Sequence, residues 1–263
     1  MTATPELDIV IPAYNEGVNI LPVMHAFAEK LSMRFRVLVC VDSPEDNTLE
    51  ALASMPKGLV HVKFVQNPGR GPHSAVLAGF AASTAPAILV YMADDDFNVD
   101  LIAKMLDEHR RGADIVAASR FMPGGHMEGG PFFKALLAKV ATFLLFHVGR
   151  VPVHDATNAF RLFSRRTIDT IAIESASGFT FSIELMVKAA RLGWCVTEVP
   201  AQWFERQDKP SRFQVLAWMT DYLRWFFYPF ATFYLHRGPE TVRRREPPST
   251  SLQESARAEA ASM

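Results

Sequence analysis

Three consecutive aspartates that follow an apolar run are the residues of this chain best suited to chemistry. Residues 89–93 are largely apolar, and Asp94, Asp95 and Asp96 come directly after them, with Asn98 two positions further on. An apolar run that ends in this way is typical of a buried strand whose carboxyl end opens into a polar cleft. Asp94, Asp96 and Asn98 place oxygen ligands at alternate positions, and oxygen is the ligand that a hard cation such as Mg²⁺ or Mn²⁺ prefers. The alternative is a solvated acidic turn that caps the following helix.

Neighbouring strand ends carry further polar side chains. The strand predicted for residues 7–12 leads into Tyr14 and Glu16, and a second strand, residues 35–41, is followed by Asp42. Four predicted strands alternate with helices, which indicates a parallel sheet covered by helices. Loops after parallel strands meet at one edge of the sheet, so these side chains are expected beside the aspartates. Alternatively, Asp42 caps a helix, and Tyr14 and Glu16 belong to a solvated loop.

Composition narrows the class of protein. Of the 263 residues, 49% are hydrophobic and 21% are charged, and the formal net charge of -1 leaves no basic field that would attract nucleic acid. Cys40 and Cys195 both lie in apolar runs, so we predict that they are reduced core residues in a cytosolic setting. Residues 1–8 contain neither a basic segment nor a long apolar run, so no signal peptide is expected.

An aromatic segment lies near the carboxyl terminus, where eight of the 14 residues in 222–235 are aromatic. As a helix this segment would be about 21 Å long, short of a hydrocarbon core of about 30 Å, and it contains Arg224 and Pro229, so it is not expected to span a bilayer. It is either a buried docking helix or a helix in the membrane interface. Residues 238–263 are rich in Arg, Glu, Pro, Ser and Ala, which predicts a disordered tail whose arginines 243–245 would attract anionic lipid.

Several motifs follow one another in a characteristic order. They are residues 9–16, 94–98, 118–121, 154–163, 181–185 and 198–200. With these motifs the chain resembles, over residues 7–213, the family 2 glycosyltransferases, and among them the dolichyl-phosphate and polyprenyl-phosphate sugar transferases. The resemblance implies a GT-A fold, that is, a Rossmann-like α/β domain with a mostly parallel sheet flanked by helices, over residues 1–213. An apolar, aromatic helix over 214–237, interfacial or docked, and the tail over 238–263 would follow it.

The resemblance also implies roles for individual residues. Asp94, Asp96 and Asn98 would hold a divalent cation, Mg²⁺ or Mn²⁺, with Asp96 acting in catalysis. Asp95 would point to the opposite side of an extended segment, so it is left outside the metal shell. The residues expected to bind the nucleotide sugar, GDP- or UDP-linked, are Pro12, Tyr14, Glu16, Asp42, Asp94 and Asp95. Two segments depart from the family pattern, at Asp42-Ser43 and in the loop at residues 70–73. The sequence therefore does not identify the nucleobase or the sugar of the donor.

The implied reaction moves a sugar from a nucleotide diphosphate to an acceptor, and a cation would neutralise the charge on the leaving diphosphate. A polyprenyl phosphate oxygen is already anionic, so this acceptor needs no base. The basic residues expected at its phosphate are Arg120, Arg206, Arg212 and Lys134. Each of them is alternatively part of a surface salt bridge.

Two further hypotheses remain open. If the acceptor is the hydroxyl of a saccharide or small molecule, a base is required, and Asp155 and Glu184 are the candidates. Glu184 is alternatively a buried structural partner, because its neighbours in the predicted helix are apolar. The third hypothesis is a non-catalytic protein that binds nucleotide sugars. We predict a cytoplasmic protein. Under the transferase hypotheses, it would bind peripherally to the inner face of the cytoplasmic membrane or to a membrane-protein partner.

Overall fold

A seven-stranded sheet forms the centre of the protein. The computed structural model describes residues 4–129, 132–204 and 215–246, of which only the backbone is described for 132–135 and 215–217. The strands are β1 (Leu7–Ala13), β2 (Phe35–Val41), β3 (Val62–Gln66), β4 (Ala87–Val90), β5 (Ile115–Ser119), β6 (His126–Glu128), β7 (Arg161–Ser164), β8 (Val196–Pro200) and β9 (Gln202–Phe204). The main sheet has the order β3-β2-β1-β4-β7-β5-β8, and β6 pairs with β9 in a separate parallel ribbon. In the main sheet β7 runs antiparallel to its neighbours β4 and β5, and the other described pairings are parallel.

Helices cover both faces of this sheet. They are α1 (Leu21–Lys30), α2 (Asn47–Ala53), α3 (Gly71–Ala82), α4 (Val99–Arg110), α5 (Phe132–His147), α6 (Arg165–Thr170), α7 (Thr180–Arg191) and α8 (Val215–Tyr234), with 3-10 turns at Gly17–Ile20 and Pro239–Thr241. One face packs against α1 and α4, and the other packs against α3, α7 and α8. The predicted inward side chains of α4, Ile102, Met105 and Leu106, are buried.

The first half of the chain forms the predicted elements because local signals and burial agree. Asp46 caps α2, because its Oδ1 accepts a hydrogen bond from Thr48 N at 2.9 Å. The strand before the three aspartates is shorter than its apolar run, since β4 ends at Val90. Tyr91 continues from it as a buried residue, and its hydroxyl donates to the carbonyl of Asp95 at 2.7 Å. This hydrogen bond from a buried side chain fixes the backbone of the acidic loop at Asp95.

One prediction from the sequence was wrong. Cys195 is exposed and lies just before β8, so of the two cysteines only Cys40 is a core residue. Strand β6 gains its backbone partners from β9, a segment distant in sequence. Helix α7 is buried throughout residues 180–189 because α8 covers its outer side.

The carboxyl-terminal helix packs against the domain along one side only. Trp225 is 1% exposed and packs on α7, where Lys188 Nζ lies 4.8 Å from the centre of its ring. The opposite side of α8 exposes large apolar groups, among them Phe227 at 57%. The helix is thus docked along one side and open along the other.

The predicted tail begins later than expected. Ala172 N donates to the carbonyl of Arg243, Ile171 bridges Arg244, and Val242 is buried, so residues 238–246 pack on the domain. Short backbone pairing of this kind has no periodic sequence signal, which is why composition alone suggested disorder. The rest of the predicted tail, 247–263, lies outside the described residues.

Candidate active site

Strand register brings the predicted polar residues to one edge of the sheet. Ala13 of β1 lies opposite Val41 of β2, and Val10 of β1 lies opposite Val90 of β4, all in parallel pairs. The loops that contain Tyr14 and Glu16, Asp42, and the three aspartates therefore leave the sheet side by side. Neighbouring strands are about 4.8 Å apart, so the loops after β2 and β4 are separated by roughly 10 Å across β1. Such an edge is where ligands bind in open α/β sheets.

Asp42 is fixed by the loop that leads into α3. Its Oδ1 accepts a hydrogen bond from Asn67 Nδ2 at 2.6 Å, and its Oδ2 accepts one from Gly71 N at 3.0 Å. A carboxylate has about four acceptor positions, so Asp42 can accept further bonds from a ligand. It borders a cleft of about 240 Å³ lined by Tyr14, Asn15, Asp42, Ser43, Glu45 and Asp46.

The loop after β1 forms the other wall of this cleft. Asn15 has a left-handed backbone with φ 51, and its N–H donates to Asp46 Oδ2 at 2.9 Å. Glu16 N donates to Thr48 Oγ1 at 3.0 Å, so the loop is held against the start of α2. Tyr14 is 56% exposed at the mouth of the cleft. Pro12, which was also predicted to bind nucleotide, lies within β1 in register with Cys40.

Asn98 connects the acidic loop to β9. Its Nδ2 donates to Asp95 Oδ2 at 2.8 Å and to Gln202 O at 2.7 Å, and its Oδ1 accepts from Gln202 N at 3.0 Å. The side chain is buried, and both ends of its amide are engaged within the protein. The structure therefore argues against Asn98 as a metal ligand and assigns it to holding the loop in place.

Asp95 belongs to the same connection. Burial raises the pKa of Asp95, and hydrogen bonds from Asn98 oppose this shift. Its carboxylate points to Asn98, consistent with the expectation that it lies outside the metal shell, but the same contacts argue against its predicted role in nucleotide binding.

Asp94 and Asp96 differ from the other acids at this edge. Within residues 4–129, 132–204 and 215–246, no hydrogen bond or ion pair involves either carboxylate, whereas Asp42, Asp46 and Asp95 are all hydrogen-bonded. Two unpaired carboxylates separated by one residue fit a hard divalent cation. The described residues contain no cluster of three His, Cys, Asp or Glu side chains suited to a metal, so two carboxylates would leave the remaining positions to substrate phosphate and water.

Arg120 is oriented by a buried carboxylate. Its Nε and Nη2 donate to Asp155 Oδ2 and Oδ1 at 2.7 and 3.1 Å, and Nη2 also donates to Thr157 Oγ1 at 2.9 Å. Val90 of β4 and Ala117 of β5 both lie opposite Arg161 in β7, so Arg120, just after β5, reaches the same edge as the aspartates. The Nη1 of Arg120 donates to no group within the described residues, which leaves it available to a ligand.

Asp155 is unsuited to the predicted role of base. Burial alone would raise its pKa, but the charge and hydrogen bonds of Arg120 hold the pKa below its usual value. The side chain has no exposed surface, and Thr157 N and Asn158 N donate to the same oxygen as Arg120 Nη2. Its contacts orient Arg120.

Glu184 is likewise committed to the interior. It accepts hydrogen bonds from Glu174 N at 2.6 Å and Ser175 N at 2.8 Å, and it pairs with Lys188 at 2.6 Å. The structural alternative is therefore favoured over a base for this residue. Arg206 and Arg212, and the side chain of Lys134, lie outside the described residues.

Sequence reasoning missed two groups of supporting residues. Asn67 and Gly71, which hold Asp42, lie in a turn-rich loop whose turn residues were the only available signal. Arg161 begins the buried strand β7, next to the apolar Leu162 and Phe163, and a charge at such a position was a signal that a buried partner was required.

Replacing Asn98 and Asp96 separates support of the loop from ligand binding. We expect Asn98→Ala to lower the free energy of unfolding by about 2 kcal/mol, because backbone groups of Gln202 and the carboxylate of Asp95 lose their partners. Asp96→Asn should leave the ligand-free stability within about 0.5 kcal/mol, as for other surface substitutions. Urea denaturation measures both, and equal destabilisation by the two substitutions would contradict the assignment.

Comparisons with known proteins agree with this geometry. The model of the family described as Glycosyl transferase family 2 matches residues 8–171. A polyprenol monophosphomannose synthase from Mycolicibacterium smegmatis is 31% identical over 208 residues, which are 76% of this chain and 77% of that protein. A dolichyl-phosphate hexose transferase from Haloferax volcanii is 28% identical over 207 residues, covering 76% of this chain and 84% of that protein. A dolichol-phosphate mannosyltransferase from Pyrococcus furiosus is 24% identical over 190 residues, and the match covers 70% of this chain but only 53% of that protein.

Solved structures confirm the predicted fold. A glucosyl-3-phosphoglycerate synthase from Mycobacterium tuberculosis, crystallised with Mn²⁺, UDP and glucosyl-3-phosphoglycerate, matches with a TM-score of 0.65 at 16% identity, covering 86% of this chain and 80% of that one. At this identity the likeness concerns the fold alone. Together with the family match, which covers more than half of the chain, it shows that the protein belongs to glycosyl transferase family 2 and is a glycosyltransferase of the GT-A fold.

Proposed function

We propose that the protein transfers a hexose from a nucleotide diphosphate sugar to a polyprenyl phosphate, with support from a divalent cation. The observation that carries this proposal is that Asp94 and Asp96, on the edge that also bears Asp42 and Arg120, have no hydrogen-bond or ion-pair partner among the described residues. The printed activities of the Mycolicibacterium and Haloferax relatives support the same acceptor class.

The order of charges along the edge suggests how the donor lies. Asp42 follows β2, Asp94 and Asp96 follow β4, and Arg120 follows β5. A nucleoside placed at Asp42 would extend its diphosphate over β1 towards the two aspartates, a span of roughly 10 Å. Asp94 and Asp96 would hold the cation, which would supply positive charge that stabilises the leaving diphosphate. Arg120 would then bind phosphate oxygens through Nη1, with its plane fixed by Asp155.

Burial of the two predicted bases favours a phosphate acceptor over a hydroxyl acceptor. Asp155 and Glu184 have no exposed surface, and their oxygens accept hydrogen bonds from the protein. A hydroxyl needs a base within hydrogen-bond reach, whereas a phosphate monoester is anionic near neutral pH and needs only positioning. The chemistry of the site is therefore best matched by an acceptor that already carries its negative charge.

An acceptor with a prenyl chain requires access to lipid, and two neighbouring helices expose suitable surface. The exposed apolar side chains are Leu136, Leu137, Val140 and Phe143 on α5 and Leu223, Phe227, Phe233 and Tyr234 on α8. Helices α5 and α8 pack against each other. Among the residues that the structure describes, no helix is long and apolar enough to cross a bilayer. We infer that these side chains contact the membrane interface, where the acceptor phosphate is located.

Acceptor specificity tests the proposed reaction directly. We expect radiolabelled hexose from a panel that includes GDP-mannose and UDP-glucose to appear on a short-chain polyprenyl phosphate, but not on the matching polyprenol or on saccharides. Transfer to a saccharide with none to the lipid would support a hydroxyl acceptor. Nucleotide binding without transfer to any acceptor would indicate a binding protein.

The carboxylate pair is tested by Asp96→Asn. Loss of one of two anionic ligands should weaken Mn²⁺- or Mg²⁺-supported binding of a nucleoside diphosphate at least tenfold and lower kcat by about 100-fold or more. Calorimetric titration with and without the cation measures the first effect, and transfer assays measure the second. Asp100→Asn is the matched control, since Asp100 is a nearby exposed acid that pairs with Lys30. Unchanged nucleotide affinity in Asp96→Asn would reject the metal role.

Membrane contact is tested by substitutions on the exposed faces of α5 and α8. We expect Phe143→Ser with Phe227→Ser to reduce sedimentation with anionic liposomes severalfold while the melting temperature stays within a few degrees, because both rings are exposed. Tyr14→Ser, which removes an exposed ring at the nucleotide cleft, serves as the control and should sediment like the wild type. Equal sedimentation of all three proteins would exclude this surface.

A further inference from the structure

Arg161 is a fully buried arginine without a carboxylate of its own. It is the first residue of β7, lies opposite Val90 and Ala117 in the middle of the sheet, and has no exposed surface. Nη1 donates to Ser182 O at 2.5 Å and Nη2 to Asp155 O at 3.2 Å, whereas Nε is buried and has no hydrogen-bond partner among the described residues. Burying a charge with incomplete partners is costly, so its presence requires a reason.

The nearest acid is shared with a second arginine. Asp155 is the strongest attractive charge on Arg161, but its two carboxylate oxygens accept hydrogen bonds from Arg120. Burial lowers the pKa of Arg161 to about 10, which leaves its guanidinium protonated at neutral pH. Two arginines and one aspartate therefore carry a net charge of one positive unit at the inner side of the site.

The next acid does not cancel this charge at close range. Glu198 in β8 lies opposite Ala117, two strands from Arg161 at roughly 10 Å, and it is a weaker influence on Arg161 than Asp155. Its oxygens accept hydrogen bonds from His154 N at 2.8 Å and pair with His154 Nδ1 at 2.5 Å. The excess positive charge thus lies between β4 and β5, directly behind Arg120.

We propose that Arg161 is a positioning residue that offsets the charge of Asp155, so that Arg120 presents an uncancelled positive charge to a phosphate group at the edge of the sheet. This inference rests on the proposed function, since it assumes that Arg120 meets phosphate. Without Arg161, Arg120 and Asp155 would form a neutral pair and attract an anion less strongly. Asp155 thus orients Arg120, and the charge of Arg161 prevents Asp155 from cancelling the charge of Arg120.

Calorimetric titration of GDP and UDP with Mg²⁺ into the full chain tests the charge. We expect Arg161→Met to bind the better of the two nucleotides about tenfold more weakly than the wild type, and Arg161→Lys, which keeps the charge, to bind within threefold of it. A difference of fivefold or more between the Met and Lys variants supports the proposal, and a smaller difference overturns it. A residue that only fills space would affect both variants alike.

The control is a buried arginine at the opposite edge of the sheet. Arg36 donates to both oxygens of Asp8 at 2.9 Å, so Arg36→Met also removes one positive charge from a buried pair. Nucleotide affinity in this variant should stay within twofold of the wild type.

A second variant decides the question if Arg161→Met does not fold. Arg161→Gln also removes the charge but keeps an amide N–H that can donate to the carbonyl of Ser182 or Asp155. Binding of the nucleoside diphosphate at least fivefold weaker than in Arg161→Lys supports the charge argument, and a smaller difference overturns it. Nucleotide binding is measured without lipid, so a chain that binds nucleotide but makes no glycolipid would reject the proposed acceptor and leave this comparison intact.

Discussion

The parallel register of β2, β1 and β4 is the constraint on which the site depends. It brings the ends of three strands to one edge, and β5, two strands further on, adds Arg120 to the same edge because β7 is inserted antiparallel between β4 and β5. Backbone hydrogen bonds maintain this spacing without any ligand. The sheet therefore holds the acids after β2 and β4 and the guanidinium after β5 at fixed distances, even though the acids do not attract one another. These distances suit the nucleotide diphosphate that we propose as donor.

Hydrogen bonding divides the acids of this edge into two groups. Asp42, Asp46, Asp95 and Asp155 accept bonds from backbone or side-chain donors and stabilise loops or orient neighbours. Asp94 and Asp96 have no such partners among the described residues. The hydrogen bonds of the first group stabilise the folded protein, since buried polar groups require partners. The second group contributes nothing comparable to folding, and a cation with a diphosphate is the ligand that we propose for it.

The second half of the chain supports the site from behind. Lys188 is buried between Glu184 and Glu174, with Nζ–O distances of 2.6 Å to each, and Arg224 of α8 pairs with Glu174 at 3.2 Å. This network joins α8 to α7, which packs on the sheet face behind the site. A helix attached in this way can expose apolar side chains on its other side without separating from the domain. The proposed contact with lipid and the support of the active site would thus be combined in one helix.

Much of this arrangement follows from the sequence alone. Alternating apolar runs and helical patterns, each strand ending in polar residues, determine a mostly parallel sheet and place Tyr14, Asp42 and Asp94 at one edge, because local periodicity and strand direction are properties of the chain itself. Only the tertiary structure decided which polar side chains are available. Asn98, Asp155 and Glu184 have the right chemistry for ligands or bases, but segments distant in sequence supply their hydrogen-bond partners. The partners of a polar group depend on what folds against it, and one-dimensional spacing does not contain that information.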